Sequence, residues 1–526
     1  MTSNPRTGAM PRRIAAVAGL MALVIPLSAC GTRESSDQIA AADGSAIHQV
    51  AAADSGATAG TNTGAPTGAT TDTGAVAAAP VAATGGTAAA PAAGAATTTT
   101  QAVSAKGPTA GGTTTAGGTT AGTKASSAKS SAAVSTGGAT VPTGADAPCT
   151  KALGPVVIGQ TSPSSGIIGA STFNMRAGLA LWARAINAAG GVQCHPVQLY
   201  QMDDAADPAR VTSNLDDLVN NKHAIAIVGA GVPTTFAAAK RFAEQNKVPF
   251  VGGDMIEAGW FSSPWIFPQG GGPLAAYAGA TKEAAEKAGT KKVGLIYCVE
   301  AAICGTINEN FEAMAKASGL EVVLRKVSSI TSPDYTAECQ ALKAAGAQAV
   351  FVALEGSGDA RFARSCLSLG YAPPAATSAL SVSAEAALDP NFRKLGVFLG
   401  TGNAPYQADD TPGGRLFTAA YDTFAPGSSI DQNTISQWTS GKLFEKAVAN
   451  VFQEARSGPI TREMVLEGLW KMKNEKLNGL TPGVTFNENA PPKQNDCYAL
   501  LNLTPTGYTA PKGSKFDCFA GLPKGF

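Results

Sequence analysis

Aromatic residues are missing from the first third of this 526-residue chain: the first is Phe173, and all 19 Phe, nine Tyr and five Trp follow from there. A stretch without them has too little apolar mass for a packed core, so no domain is expected ahead of about Cys149. Net charge is nearly absent too. Lys and Arg total 39 against 38 Asp and Glu, a formal +1 that excludes an electrostatic nucleic-acid binder. No apolar run reaches the roughly 18 residues needed to span a bilayer, which excludes a membrane channel. Only His48, His195 and His223 are present, so the part with aromatic residues has at most two His for a metal or catalytic site. The sequence has no His-Glu-x-x-His, no Gly-x-Ser-x-Gly and no Walker A motif. Neither an enzyme nor a cofactor is expected, and His195 and His223, near the starts of strands, read as surface residues.

What is present begins with an address. Arg6, Arg12 and Arg13 precede the apolar segment Ile14–Leu27, and Leu27-Ser28-Ala29-Cys30-Gly31 follows. A basic start, a short apolar stretch and small residues before a cut mark a secretory signal over residues 1–29. The cysteine directly after Leu-Ser-Ala looks like a bacterial lipobox, which implies cleavage before Cys30 and a lipid anchor on it. Residues 30–148 are Ala, Thr, Gly and Ser, with four Lys or Arg and six Asp or Glu between Gly31 and Pro148. Such a composition cannot offset its ordering entropy, so it reads as a disordered tether spanning about 60 Å.

Eight further cysteines lie beyond the tether: Cys149, Cys194, Cys298, Cys304, Cys339, Cys366, Cys497 and Cys518. An even number in an exported chain reads as disulfides, and the missing CxxC spacing disfavours zinc. Sequence alone allows many connectivities. The pairing we expect joins near neighbours: Cys149–Cys194, Cys298–Cys304, Cys339–Cys366 and Cys497–Cys518. Cys339 and Cys366 sit on helices flanking one strand, and Cys497 and Cys518 flank a terminal hairpin around Thr504–Gly507.

From Val156 onward strands and helices alternate. Met175, Leu179, Trp182 and Ile186 recur on one helical face, and Gly190-Gly191 stops that helix. Strands read over Val197–Met202, Ala224–Val228 and Val248–Val251, with helices opened by Asp207-Pro208 and Thr234. After Gly270-Gly271-Gly272 the pattern restarts, with helices Pro273–Ala288, Thr306–Ala317 and Tyr335–Ala345 between strands Lys292–Tyr297, Leu320–Val327 and Ala349–Leu354. Leu218 precedes Ala226-Ile227-Val228 by the same offsets as Leu342 precedes Val350-Phe351-Val352. Two similar α/β lobes follow, each with a parallel sheet covered on both faces. A long helix over Thr439–Arg456 is expected to return to the first lobe.

Ile158-Gly159-Gln160-Thr161-Ser162-Pro163-Ser164-Ser165-Gly166, Arg176-Ala177-Gly178, Ile186–Gly191 and Asp203–Pro208 together resemble the opening of leucine/isoleucine/valine-binding proteins. The resemblance implies a type I periplasmic-binding-protein fold: two doubly wound Rossmann-like lobes joined by three hinge crossings. Lobe I would hold residues 149–268 and 404–484, and lobe II residues 269–403 and 485–526. It also implies a monomer at the outer face of the cell membrane that delivers a small polar solute, an amino acid or related amide or carboxylate, to an ABC permease. Other classes consistent with the residues are a sensor subunit for a membrane receptor and, remotely, a secreted α/β hydrolase.

In open α/β sheets ligands bind beyond the carboxyl ends of the strands. There the first lobe offers Ser164, Ser165 and Ser171. The last stands where the family often has an aromatic lid. Thr234 and Thr235 stand at a helix N-terminus that favours a carboxylate or is simply capped by them. Gly253 and Asp254 follow, with Asp254 facing a ligand ammonium or capping a turn. The second lobe offers Glu300, Glu355 and Ser381.

Overall fold

The computed structural model describes residues 149–522. The signal, Cys30 and the tether lie outside the described residues. The first sheet is assembled from β1 (Val156–Thr161), β2 (Val197–Met202), β3 (Ala226–Ala230), β4 (Phe250–Gly253) and β5 (Ile266–Phe267), all parallel in the order β2-β1-β3-β4-β5. Helices α1 (Asn174–Ala188), α2 (Pro208–Asp216) and α3 (Phe236–Asn246) connect the first four strands. Local chemistry sets their ends: Asp207 accepts hydrogen bonds from Ala209 N and Arg210 N with Pro208 inside the first turn, so α2 starts there.

The second sheet repeats that order. Strands β6 (Lys292–Tyr297), β7 (Glu321–Val327), β8 (Ala349–Ala353), β9 (Ala375–Ser378) and β10 (Val397–Thr401) run parallel as β7-β6-β8-β9-β10. Helices α4 (Pro273–Ala288), α5 (Ala302–Ala317), α6 (Thr336–Ala344), α7 (Gly356–Ser368) and α8 (Pro390–Leu395) lead into or link these strands. The repeat seen in the sequence has a packing cause. A Cβ on Gly159 of β1 would lie 3.0 Å from Leu218, and one on Gly294 of β6 would lie 2.5 Å from Leu342. In each sheet a leucine fills the space that a glycine leaves on the central strand.

The chain then returns to the first sheet. Helices α9 (Pro412–Phe424), α10 (Gln432–Ala449), α11 (Phe452–Ser457) and α12 (Arg462–Trp470) follow, and α10 packs against α1 and β4. Strands β11 (Cys497–Thr504), β12 (Gly507–Thr509) and β13 (Asp517–Cys518) close the second sheet; β11 runs antiparallel to β10. Three segments thus cross between the sheets, and they bond to one another. Gly271 N donates to Gly402 O at 2.9 Å, Gly272 N to Asn495 O at 2.7 Å and Ala404 N to Leu480 O at 2.9 Å. The fold is therefore the expected pair of doubly wound α/β lobes with three hinge crossings.

Three details differ from or refine the sequence reading. The long helix starts at Gln432, not Thr439, and ends at Ala449, with α11 a separate element. Its first two turns are Gln-Asn-Thr-Ile-Ser-Gln, a polar stretch without apolar period, which hid them. His195 is not a surface residue: it is 1% exposed, with Nδ1 2.5 Å from Gly154 O and Nε2 2.7 Å from Ala455 O. It ties the chain entry to α11. All four disulfides are present in the near-neighbour pairing, with Cα separations of 3.9–5.5 Å.

Candidate functional site

Because the strands of each sheet are parallel, their carboxyl-end loops gather on one side, and those of the two sheets meet face to face. Ser171 Oγ, after β1, donates to Glu355 Oε2, after β8, at 2.9 Å. Glu257, after β4, accepts at Oε1 from Ile303 N at the start of α5, at 3.1 Å. Tyr277 of α4 donates its hydroxyl to Ile256 O at 3.3 Å. Leu380, after β9, packs into the first sheet's cluster with Val232 and Met255.

The hidden start of α10 joins both sides. Asn433 Nδ2 donates to Ser171 O and to Leu380 O, each at 3.1 Å. Gln432 Nε2 donates to Thr401 Oγ1 and Ala404 O on the second crossing, and Gln269 Nε2 on the first crossing donates to Ser436 Oγ. Asp431 accepts from Asn433 N and Thr434 N while Thr434 Oγ1 accepts from Asp431 N, a reciprocal cap. That Asp-x-x-Thr spacing is the sequence signal that marks this helix start.

Two cavities lie along the meeting line. One of about 330 Å³ opens at the mouth between Ile167 of the first side and Ile330, Ser332, Glu355, Ser357 and Arg361 of the second. Another, of about 60 Å³, is lined by Ile256, Tyr277, Ile303, Phe351, Ser378 and Ser381. It is walled chiefly by apolar side chains, with Thr377, Ser378 and Ser381 as the other lining residues.

The candidate residues separate into those facing this cleft and those serving the frame. Ser171, Glu355 and Ser381 line or bridge it. Glu355 also caps α7 by accepting from Ser357 N and Gly358 N, and its ion pair with Arg361 spans 4.0 Å. Thr235 is the N-cap residue of α3 yet its side chain makes no capping bond, and the buried Thr234 hydroxyl has no partner among the described residues. Ser162, at the same strand ends, is also buried with a partnerless hydroxyl. These hydroxyls are donors without acceptors beside a helix N-terminus. The arrangement suits an anionic group.

Ser164 and Ser165 instead bind Asp203: Ser164 N donates at 2.8 Å and Ser165 Oγ at 2.6 Å. Partial burial raises the Asp203 carboxyl, but these bonds and that from Ala205 N outweigh it and hold it at about 2. Phe173 is exposed at the loop's end, two residues beyond the lid position that Ser171 fills. Glu300 folds back to accept from Val299 N and Ile330 N. Gly253 is a packing glycine, since a Cβ there would lie 2.0 Å from Trp260.

Asp254 caps a turn. Fully buried, it accepts from Val232 N at 2.5 Å, Ile256 N at 3.0 Å and Trp260 Nε1 at 3.2 Å, leaving no place for a ligand ammonium. Burial pushes its carboxyl up to about 6 despite those donors. Burial, with the Asp254 charge behind it, pushes the neighbouring Glu257 up to about 7 against the pull of Ile303 N. Glu257 lies in a loop with no motif, so nothing in the sequence singles it out.

Glu257 carries a pH signature. A carboxyl raised in the folded state binds protons that the unfolded chain has released, so its contribution is intact below about pH 4 and declines as pH rises to about 7. Glu257→Gln removes that decline and keeps an oxygen for Ile303 N. Urea unfolding at a series of pH values should show the variant gaining about 2 kcal/mol on the wild type between pH 5 and pH 8. A constant difference across that range would refute the assignment.

No helix among the described residues is long and apolar enough to cross a membrane, and no cluster of His, Cys, Asp and Glu there could hold a metal ion. An amino acid binding protein of Pseudomonas aeruginosa is 24% identical over 210 residues, which is 38% of this chain; the chain spans 54% of that relative's length. A Rhodopseudomonas palustris solute-binding protein solved with benzoate superposes with a TM-score of 0.56 at 16% identity, covering 70% of this chain and 97% of that one. A fatty acid ABC transporter substrate-binding protein from Thermomonospora curvata gives 0.56 at 19% identity, covering 68% and 90%. At such identities the two structures show the fold. The description "periplasmic binding protein" matches residues 155–507, from β1 through the turn into β12, and with the cleft between two repeated sheets it places this chain in the periplasmic binding protein family.

Proposed function

We propose that this protein is the lipid-anchored, extracellular solute-binding component of an ABC importer and closes on a small molecule bearing a carboxylate. The observation that carries the reading is the set of unpaired donors at the carboxyl ends of β1 and β3, namely Ser162, Thr234 and the uncapped N-terminus of α3. Free N–H groups and hydroxyls there would hold the anionic end. The apolar cavity on the second-sheet side would hold the body of the molecule. The ligands named for the relatives, amino acid, benzoate and fatty acid, share a carboxylate and differ in what it is attached to. Closure would follow from contacts to both sides, because a ligand shifts an open–closed equilibrium only by its differential affinity.

A thermal-shift screen tests this, since binding the native state raises the melting temperature. Amino acids, aromatic carboxylates and fatty acids form one arm, and their carboxamides, which lack the carboxylate charge, the other. The reading expects stabilisation in the first arm. Stabilisation by amides alone would overturn it. The anchor is tested separately: Cys30→Ser should leave the protein unprocessed or released from the membrane fraction. Mature lipid-modified protein in that variant would refute the lipobox assignment.

A further inference from the structure

A third cavity, of about 350 Å³, lies on the first lobe between α1, α9 and α10. Its walls include Ala185 and Ile186 of α1, Leu416, Ala419 and Ala420 of α9, and Trp438 of α10. The α1 residues belong to the C-terminal half of that helix, whereas its N-terminal end follows β1 and faces the cleft. None of the residues lining the two cleft cavities lines this one. Its size and mostly apolar wall are those of a small-molecule site between helices. Trp438 is 4% exposed, and Phe417 meets its ring edge-on with centroids 5.8 Å apart. The Trp438 Nε1 is buried and has no acceptor among the described residues. An indole N–H kept from water without a partner is destabilising, and native structures rarely leave one. The other polar groups of the lining are engaged. Lys442 Nζ donates to both carboxylate oxygens of Glu445 at 2.7 Å, Trp182 Nε1 donates to Glu445 Oε2 at 3.2 Å, and Thr423 Oγ1 donates to Ala419 O at 2.7 Å.

We propose that this cavity is a second binding site, for a neutral apolar molecule whose carbonyl oxygen accepts the Trp438 N–H. The donor set decides the class. An indole nitrogen only donates, so the ligand must accept. Lys442 and Glu445 neutralise each other, and a carboxylate or ammonium brought among these walls would lose its hydration without gaining a counter-charge. A ketone or ester carbonyl costs far less to bury, and it brings no donor of its own that would need a partner. The alkyl body of such a molecule would cover the exposed Leu416 along with the alanine face of α9. The site stands apart from the cleft and does not depend on what the cleft binds.

The test uses three straight-chain probes that differ in their head: 2-octanone, a neutral acceptor; heptanoate, an anion; and heptylammonium, a cationic donor. Calorimetric titration measures affinity and hydrogen–deuterium exchange locates the bound probe, on the full chain as wild type, Trp438→Phe and Ala419→Trp. Ala419 is exposed on the wall formed by α9, so a larger side chain there fills the cavity without entering the core, and it leaves the indole in place. That variant keeps the test decisive even where Trp438→Phe unfolds. The expected result is that 2-octanone protects residues 182–189, 416–424 and 438–445 and binds there about tenfold more tightly than either ion. Trp438→Phe should weaken it about three- to tenfold, the worth of one neutral hydrogen bond, and Ala419→Trp by about tenfold or more. Heptanoate or heptylammonium binding at these helices as tightly as 2-octanone overturns the proposal. So does a 2-octanone affinity unchanged in either folded variant. Protection by 2-octanone confined to the cleft loops, or no protection at all, overturns it while leaving the reading of the cleft standing.

Discussion

Asp254→Ala should lower the unfolding free energy by about 3–5 kcal/mol, read as a shift of the urea midpoint with an unchanged slope. Among the described residues the carboxylate is the only acceptor for Val232 N, Ile256 N and Trp260 Nε1; Val232 and Trp260 are fully buried and Ile256 is half-buried. Removing it leaves two buried donors and one half-buried donor without partners, each buried one worth about 1–3 kcal/mol. Relief of its own burial penalty offsets part of that sum above pH 6, where the carboxyl is charged. The loss should therefore be larger at pH 5 than at pH 8. Asp254→Asn, which keeps an acceptor oxygen, should lose less. Equal stability of the alanine variant and the wild type would mean that the loop is held by packing alone.

The second large effect falls on binding. Thr234→Ala/Thr235→Ala should weaken the affinity for a carboxylate ligand by at least tenfold while leaving the melting temperature of the free protein within a few degrees. In the structure neither hydroxyl caps α3, so removing them costs the empty protein little. In the complex each would donate to a charged group, worth about 1.5–3 kcal/mol, and about 1.4 kcal/mol is a factor of ten. The ratio between carboxylate and amide ligands should fall with it. If affinity for both falls alike, the threonines shape the loop and do not read charge.

Much of the architecture was legible because the helix and strand periods are clean where packing is simple. The i, i+4, i+7 spacing of Met175, Leu179 and Trp182 marks the buried face of α1, and the matched Leu218 and Leu342 mark two central strands that each present a glycine. What stayed hidden is the part that serves both lobes at once. The first turns of α10 are buried yet polar, because their side chains bond to two lobes and two crossings and cannot be apolar. Hydrophobic patterning has no signal for such a segment. The roles of the acids stayed open for a related reason. Asp254 and Glu257 are three residues apart, and only the positions of Val232 N, Trp260 and Ile303 N decide which has an oxygen to spare. Sequence places a carboxylate on a loop; tertiary structure assigns its lone pairs.

Hydrogen–deuterium exchange with and without the molecule that raises the melting temperature most tests the central claim, that a ligand is held between the two sheets and closes them. The account predicts added protection in loops of both sheets at once: residues 162–173, 231–235 and 254–258 on one side, and 355–358 and 378–383 on the other. Protection confined to one sheet, or located away from these loops, would contradict it.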